Sequence, residues 1–215
     1  MMYNLNMEKY DKIISELRKI IPNPVCELNF ANNFELLIAV ILSAQCTDKR
    51  VNMVTAELFK EYNTPLKLAN ADILDIEEII KPCGFYKNKA NHIVEASKQI
   101  VERFEGQVPS EMEELTSLSG VGRKTANVVR AVGFKIPAIA VDTHVFRVSN
   151  RLGLVKAKDV ESCEKQLTKN IKKSDWIDAH HLILLFGRYY CKAISPSCVN
   201  CPFKEDCKYY KEKDK

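Results

Sequence analysis

One lysine of this chain follows a glycine-rich turn, a position that can support both phosphate binding and covalent chemistry. Gly120, Val121 and Gly122 precede Lys124, which opens a segment with the apolar spacing of a helix. A glycine turn that leads into a helix N-terminus directs unpaired N–H groups outward, where the helix dipole favours an anion. These three residues are therefore candidates for binding a phosphate. The alternative is an ordinary connection between helices, because Gly-x-Gly is too short to be diagnostic.

Lys124 itself is a candidate nucleophile. In the first turn of a helix the dipole disfavours a cation, and we expect this position, together with partial burial, to favour the neutral amine. A neutral amine can attack a sugar C1′ or a carbonyl carbon and form a Schiff base. The alternative interpretation is a solvated surface lysine.

Asp142 is the candidate carboxylate to work beside that lysine. It lies 18 residues after Lys124, and along a continuous helix this would separate the two by about 27 Å. The chain must therefore fold back near Pro137 to bring them together. Asp142 is also predicted to cap a helix that runs through Leu152.

Four cysteines towards the end of the chain have the spacing C-x6-C-x2-C-x5-C. They are Cys191, Cys198, Cys201 and Cys207. Four thiolates so close in sequence suit a four-coordinate metal site, and the spacing alone leaves zinc and an iron–sulfur cluster both open. The other four cysteines are scattered, so we expect buried or inert thiols.

Helical signals run through the whole chain and must position these residues. Asn33 is predicted to cap an apolar helix over residues 34–42, after which Gln45 lies in a break of the pattern. Asn88 is predicted to start a long amphipathic helix, and residues 208–213 are predicted to be a solvated end. No segment shows convincing strand alternation, so the predicted fold class is all-α.

The composition is that of a globular protein. With 215 residues, 46% of them hydrophobic, the chain can bury a sizeable core as one large domain or two small ones. A net charge of +4 permits a nucleic-acid partner without proving one. No apolar run reaches membrane length, and the N-terminus has no signal-peptide pattern. We therefore expect an intracellular protein in a reducing compartment, with cysteines as thiols or metal ligands.

Several motifs occur together in one order along the chain. They are FELL at residues 34–37, LSAQ at 42–45, LSGVGRKTA at 118–126, VDTH at 141–144 and the four C-terminal cysteines. This set resembles the endonuclease III family of the helix–hairpin–helix DNA glycosylase superfamily. The likeness extends over nearly the whole chain, from about Glu27 to Cys207.

The resemblance implies a helix–hairpin–helix DNA glycosylase fold, with two helical domains, a cleft between them and a C-terminal iron–sulfur loop. The implied central domain covers residues 26–136 and contains the hairpin, and a discontinuous domain joins residues 1–25 to 137–215. The four cysteines would hold a [4Fe–4S] cluster. We expect a structural cluster, because glycosidic cleavage needs no electrons.

The resemblance also implies the roles of the candidate catalytic residues. Lys124 would be the nucleophile. Asp142 would help to deprotonate it and would stabilise positive charge on the sugar. His144 would support Asp142 or contact a phosphate, although a structural histidine is the equal alternative.

Further DNA contacts follow from the same resemblance. Gln45 would fill the gap left by an extruded nucleotide. Phe85 occupies the position of a wedge residue that is usually leucine, and a phenylalanine can also enter a base stack. Lys192, in the cysteine loop, would lie near the DNA backbone.

The implied function is base-excision repair. The chain would be a DNA glycosylase with AP lyase activity that removes oxidised pyrimidines and cleaves the abasic site by β-elimination through a lysine Schiff base. Its expected partner is double-stranded DNA with damaged bases or abasic sites, bound by a nucleoid-associated monomer without a membrane. The alternatives are a T/G or U/G mismatch glycosylase of the same superfamily, a helix–hairpin–helix module that only binds DNA, and an iron–sulfur electron carrier.

Overall fold

The structure is a computed structural model that describes residues 2–213, with side chains over residues 9–212. Over this range the chain is helical and contains no strand, which confirms the all-α prediction. The α-helices are α1 Met2–Ile20, α2 Asn33–Leu42, α3 Asp48–Glu61, α4 Pro65–Ala69, α5 Ile73–Ile80, α6 Tyr86–Arg103, α7 Met112–Thr116, α8 Arg123–Val132, α9 Thr143–Arg151, α10 Val160–Asn170, α11 Trp176–Tyr189 and α12 Lys208–Lys213. None of these described helices has the length and apolar character needed to cross a membrane.

The chain forms two compact units. The continuous unit, Glu27–Ile136, contains α2 to α8. The discontinuous unit joins Met1–Cys26 to Pro137–Lys215 and contains α1 and α9 to α12.

Helix α2 is the core of the continuous unit. Every side chain from Phe34 to Leu42 is buried, and α2 contacts α3, α6 and α8. A helix that is apolar on all sides is stable only when neighbours cover it. The prediction that Asn33 caps this helix is wrong, because Asn32 accepts the hydrogen bond from the amide of Glu35 at 3.0 Å.

Helix α6 packs against α2, α4 and α5 in the same unit. It begins at Tyr86, two residues before the predicted start at Asn88, and Phe85 is its N-cap with φ 56. Phe85 makes no side-chain hydrogen bond that caps α6. The sequence thus lacks, at this N-cap, the Ser, Thr, Asp or Asn that marks most helix N-termini.

Helices α9 and α11 pack against each other in the discontinuous unit. Their apolar faces, which include Val145, Val148 and Phe186, contribute to one buried core. The prediction that Asp142 caps α9 is confirmed, since its Oδ1 accepts from the amide of Val145 at 2.7 Å.

The prediction that residues 208–213 are a solvated end is right for Lys208, Lys211 and Glu212, which are exposed, and wrong for the two tyrosines. Residues 208–213 form α12, and Tyr209 and Tyr210 pack against the core of the discontinuous unit. The guanidinium of Arg151 lies over the ring of Tyr209, 3.9 Å from its centroid. This cation–π contact ties the tail to α9.

Candidate active site

The glycine turn lies between α7 and α8. Gly120 has φ 74, in the left-handed region that favours glycine, and a Cβ there would lie 2.8 Å from the Cβ of His92. Gly122 has φ −92 instead, and a Cβ at this position would meet no described atom within 4 Å. The fold therefore needs glycine at position 120, whereas Gly122 leaves open space in front of α8.

Helix α6 holds the turn in place. Gln99 Oε1 accepts from the amide of Ser119 at 2.8 Å, and the Ser119 hydroxyl lies 3.0 Å from His92 Nδ1. Within the turn, the amide of Val121 donates to the carbonyl of Leu118 at 3.1 Å. These contacts fix the direction in which the following helix starts.

The first turn of α8 can accept an anion. Gly122 is its N-cap and, having no side chain, makes no side-chain cap hydrogen bond. The amide of Ala126 donates to the carbonyl of Gly122, and the amides of the first turn before it point out of the helix. The side chain of Val121 is buried and its amide serves the turn, so Val121 contributes mainly by shaping the hairpin. A helix N-terminus without a side chain at its N-cap is a suitable place for a phosphate.

Lys124 lies in this first turn and its side chain is exposed. The partial burial predicted for it is wrong, because the buried face of α8 begins only at Ala126 and continues through Val128 and Val129. The amine is therefore accessible to a large substrate.

Asp142 belongs to the discontinuous unit and is half-buried at the N-terminus of α9. Its Oδ1 is occupied by the amide of Val145. A carboxylate has two acceptor oxygens, so the cap leaves the second one to accept a proton or to face a cationic sugar.

Arg147 fixes the helix that Asp142 caps. Its Nη2 donates to the carbonyls of Gly187 at 2.8 Å and Cys191 at 3.0 Å, and it lies 3.3 Å from His144 Nδ1. Burial lowers the pKa of the Arg147 guanidinium. The imidazole of His144 thus has a partner on its own helix.

Gln45 and Phe85 lie on two exposed segments of the continuous unit that share an unusual backbone. Gln45 has φ 53 and Phe85 has φ 56, a region that residues other than glycine rarely adopt. The side chain of Phe85 is 67% exposed. An aromatic ring held in water by a strained backbone is available to contact another molecule.

The four C-terminal cysteines lie near one another. Burial raises the pKa of the Cys201 thiol, and the neighbouring thiols of Cys191, Cys198 and Cys207 raise it further. Among residues 2–213, no three His, Cys, Asp or Glu side chains form a group that could hold a metal ion. The influence of the other three thiols on Cys201 places the four side chains in one neighbourhood.

Arg151 joins α9 to the cysteine loop. Its Nη1 lies 3.5 Å from Cys191 Sγ and donates to the carbonyl of Lys192 at 2.7 Å. The thiol of Cys207 lies 3.3 Å from the carbonyl of Arg151. The side chain of Lys192 remains exposed, so it can contact a partner.

Comparison with known proteins decides the family. Residues 38–173 match the family model of the HhH-GPD superfamily base excision DNA repair proteins. The chain is 46% identical to endonuclease III of Bacillus subtilis over 212 residues, and this match covers 98% of this chain and 97% of the relative. It is 42% identical to endonuclease III of Escherichia coli over 210 residues, and this match covers 98% of this chain and 100% of the relative. The chain belongs to the endonuclease III family.

The endonuclease III fold is also found by comparison with solved structures. A trapped endonuclease III–DNA covalent intermediate, in an estranged-adenine complex, is similar to this chain with a TM-score of 0.93 and 46% identity. The match covers 97% of this chain and 99% of that chain. The helix–hairpin–helix DNA glycosylase fold that the resemblance implied is therefore confirmed.

Sequence reasoning missed the groups that support the site in this endonuclease III family member. Arg147 and Arg151 are four residues apart on α9, a spacing that places both on one face and was visible in the sequence. Lys89 is only 5% exposed. The sequence signal for this burial is that Lys89 lies four residues before Ile93, on the apolar face of an amphipathic helix.

Proposed function

We propose that this member of the endonuclease III family is a DNA glycosylase with AP lyase activity that removes oxidised pyrimidines from double-stranded DNA of the nucleoid. The observation that carries the proposal is the likeness, over nearly the whole of both chains, to an endonuclease III trapped in a covalent intermediate with DNA. The exposed amine of Lys124, in the first turn of α8, is a suitable nucleophile for such a bond.

The first step is extrusion of the damaged nucleotide. The N-terminus of α8 binds a backbone phosphate, Phe85 enters the base stack as a wedge, and Gln45 fills the gap. Lys192 and His144 add contacts to the backbone. Extrusion costs roughly a few kcal/mol, and the phosphate and stacking contacts offset this cost.

Base removal follows by attack of Lys124. Asp142 accepts a proton from the ammonium, and the neutral Nζ then bonds to C1′ as the bond from C1′ to the base breaks. The base leaves with the proton that Asp142 had accepted, which restores the carboxylate. The carboxylate of Asp142 then stabilises the positive charge that develops on the sugar.

Strand cleavage follows from the covalent intermediate. Opening of the sugar ring leaves a protonated Schiff base between Lys124 and C1′, which acidifies the C2′ proton. Loss of that proton expels the 3′ phosphate by β-elimination and cuts the strand on the 3′ side of the abasic site. Water then hydrolyses the imine and returns the free amine of Lys124.

Four cysteine thiols would hold a [4Fe–4S] cluster in this protein. They are Cys191, Cys198, Cys201 and Cys207. The donor set is four thiols that lie near one another, which suits either a [4Fe–4S] cluster or zinc. The resemblance of their C-x6-C-x2-C-x5-C spacing to that of endonuclease III supports the cluster. The cluster would supply a structural cross-link of the loop that carries Lys192, and no step of the reaction passes through it.

Borohydride reduction tests the lyase step. The wild-type chain should become covalently attached to a duplex oligonucleotide with one abasic site, and Lys124→Ala should give no adduct. Lys98→Ala, which removes an exposed lysine of α6, should give the adduct at the wild-type level. Absence of the adduct in the wild type would contradict the proposal and leave a module that only binds DNA. Its persistence in Lys124→Ala would contradict the assignment of Lys124 as the nucleophile.

A panel of duplexes with one lesion each tests the substrate class. Excision of thymine glycol that is faster than excision at T/G and U/G mismatches is expected, because pocket shape sets the preference among bases. Faster excision at the mismatches would support the mismatch glycosylase instead.

A further inference from the structure

A buried lysine connects the two segments that carry Gln45 and Phe85. Lys89 lies four residues after Phe85 near the start of α6, and its side chain is 5% exposed. Its Nζ donates to the carbonyl of Leu42 at 2.9 Å and to the carbonyl of Ala44 at 2.7 Å. Its backbone amide donates to the carbonyl of Phe85 at 3.1 Å. Lys89 is therefore hydrogen-bonded to both segments.

The two carbonyls that Lys89 binds have no backbone partner among the described residues. The carbonyls of residues 39–41 and of Ser43 accept from backbone amides or from the Ser43 hydroxyl. Within residues 2–213, no backbone amide donates to the carbonyls of Leu42 and Ala44. The end of a buried helix needs such partners, so Lys89 completes the C-terminal end of α2 and fixes the residue before Gln45.

The two segments also contact each other directly. A Cβ at Gly84, the residue before Phe85, would lie 3.7 Å from the carbonyl oxygen of Gln45. The thiol of Cys83 shares a hydrogen bond with the thiol of Cys46, the residue after Gln45. The spacing of Gln45 and Phe85 is thus set by a packed junction of which Lys89 is the charged centre.

This junction holds two backbones in an unfavourable conformation. A left-handed conformation is unfavourable for a residue other than glycine, and it persists only where surrounding contacts enforce it. At Gln45 and Phe85, with φ of 53 and 56, the enforcing contacts include the hydrogen bonds of Lys89.

We propose that Lys89 is a positioning residue that holds Gln45 and Phe85 at the spacing at which both enter double-stranded DNA. The inference rests on the proposed function, because it requires these two side chains to enter DNA. Lys89 acts through them, since its own side chain is buried. An abasic site in single-stranded DNA needs no extrusion, so the reaction with such DNA does not depend on Lys89.

The test compares single-stranded and duplex abasic oligonucleotides by borohydride trapping and strand cleavage. In Lys89→Met, kcat/KM on the duplex should fall by about 100-fold, because small displacements of positioning groups have effects of this size, while the single-stranded value stays within about threefold of wild type. Lys89→Arg, which restores a cationic donor, should recover most of the duplex activity. Lys98→Met, on the same helix and exposed, is the charge-matched control and should change neither value.

Equal loss on both substrates in Lys89→Met would mean a general structural role and would overturn the inference, as would full activity on the duplex. If Lys89→Met does not fold by circular dichroism, Lys89→Gln, which keeps a shorter donor, takes its place in the same comparison. In a Gln45→Ala, Phe85→Ala background, the Lys89 substitution should have little further effect on the duplex. Failure of the wild type to trap either substrate would instead contradict the proposed function.

Discussion

Arg147 Nη2 lies 3.0 Å from the carbonyl oxygen of Cys191, and Nε of the same side chain lies 3.2 Å from it. The same Nη2 donates to the carbonyl of Gly187. One guanidinium therefore joins the helix that Asp142 caps to the residue at which the cysteine loop begins. The candidate carboxylate and the proposed cluster loop share this support.

Arg147→Lys should destabilise the protein. A lysine has a single donor group and cannot reproduce the forked contacts of a guanidinium, so buried carbonyls lose their partners at a cost of about 1.5–3 kcal/mol. Thermal and urea unfolding should show this loss. Arg50→Lys, at an exposed position of α3, is the matched control and should stay within about 0.5 kcal/mol of wild type. Equal stability of the two variants would show that the contacts of Arg147 are dispensable.

Asp142→Asn separates the two tasks of this side chain. Asparagine is as good an N-cap as aspartate, so the free energy of unfolding should change by no more than about 0.5 kcal/mol. The carboxylate is lost, and base excision should slow by about 10²–10⁴-fold. Single-turnover excision and urea unfolding measure the two effects.

Asp142→Ala is the comparison for that variant. It removes the cap as well as the carboxylate and should cost about 1 kcal/mol of stability in addition to the loss of activity. Wild-type excision by Asp142→Asn would exclude a catalytic role for the carboxylate.

Features that depend on local chemistry could be predicted from the sequence. The helical class follows from periodicity, and the cap at Asp142 follows from a side chain that reaches the amide three residues later. The same holds for the helix that begins after the glycine turn, since Gly122 is its N-cap and Lys124 lies in its first turn.

Features that depend on distant contacts could not be predicted in this way. The exposure of Lys124 depends on which face of α8 the rest of its unit covers. The cap at Phe85 is a left-handed residue with no polar side chain, and it is held by contacts with a segment 40 residues earlier. The helix at the end of the chain is stabilised by Arg151 and the core, which its own charged sequence does not reveal.

The two glycines of the hairpin should respond differently to alanine. Gly120→Ala places a Cβ 2.8 Å from His92 at a positive φ, so we expect a loss of more than about 1 kcal/mol in urea unfolding. Gly122→Ala meets open space at φ −92 and should leave stability within about 0.5 kcal/mol of wild type. It should nevertheless weaken binding to duplex DNA, measured by fluorescence anisotropy, because the methyl group occupies the space in front of the α8 amides. Unchanged DNA affinity of Gly122→Ala would argue against phosphate binding there.

The stability of the protein should depend on pH through the buried thiol of Cys163. This side chain is 0% exposed, and burial raises the pKa of its thiol to about 12. At pH values above the ordinary thiol pKa, the unfolded chain releases this proton while the folded chain keeps it, so stability falls as pH rises towards the folded value. Urea unfolding of wild type and Cys163→Ala should therefore give a constant difference in free energy below about pH 8 and a smaller one by about pH 10. Parallel stability curves over this range would show that the thiol ionises equally in both states.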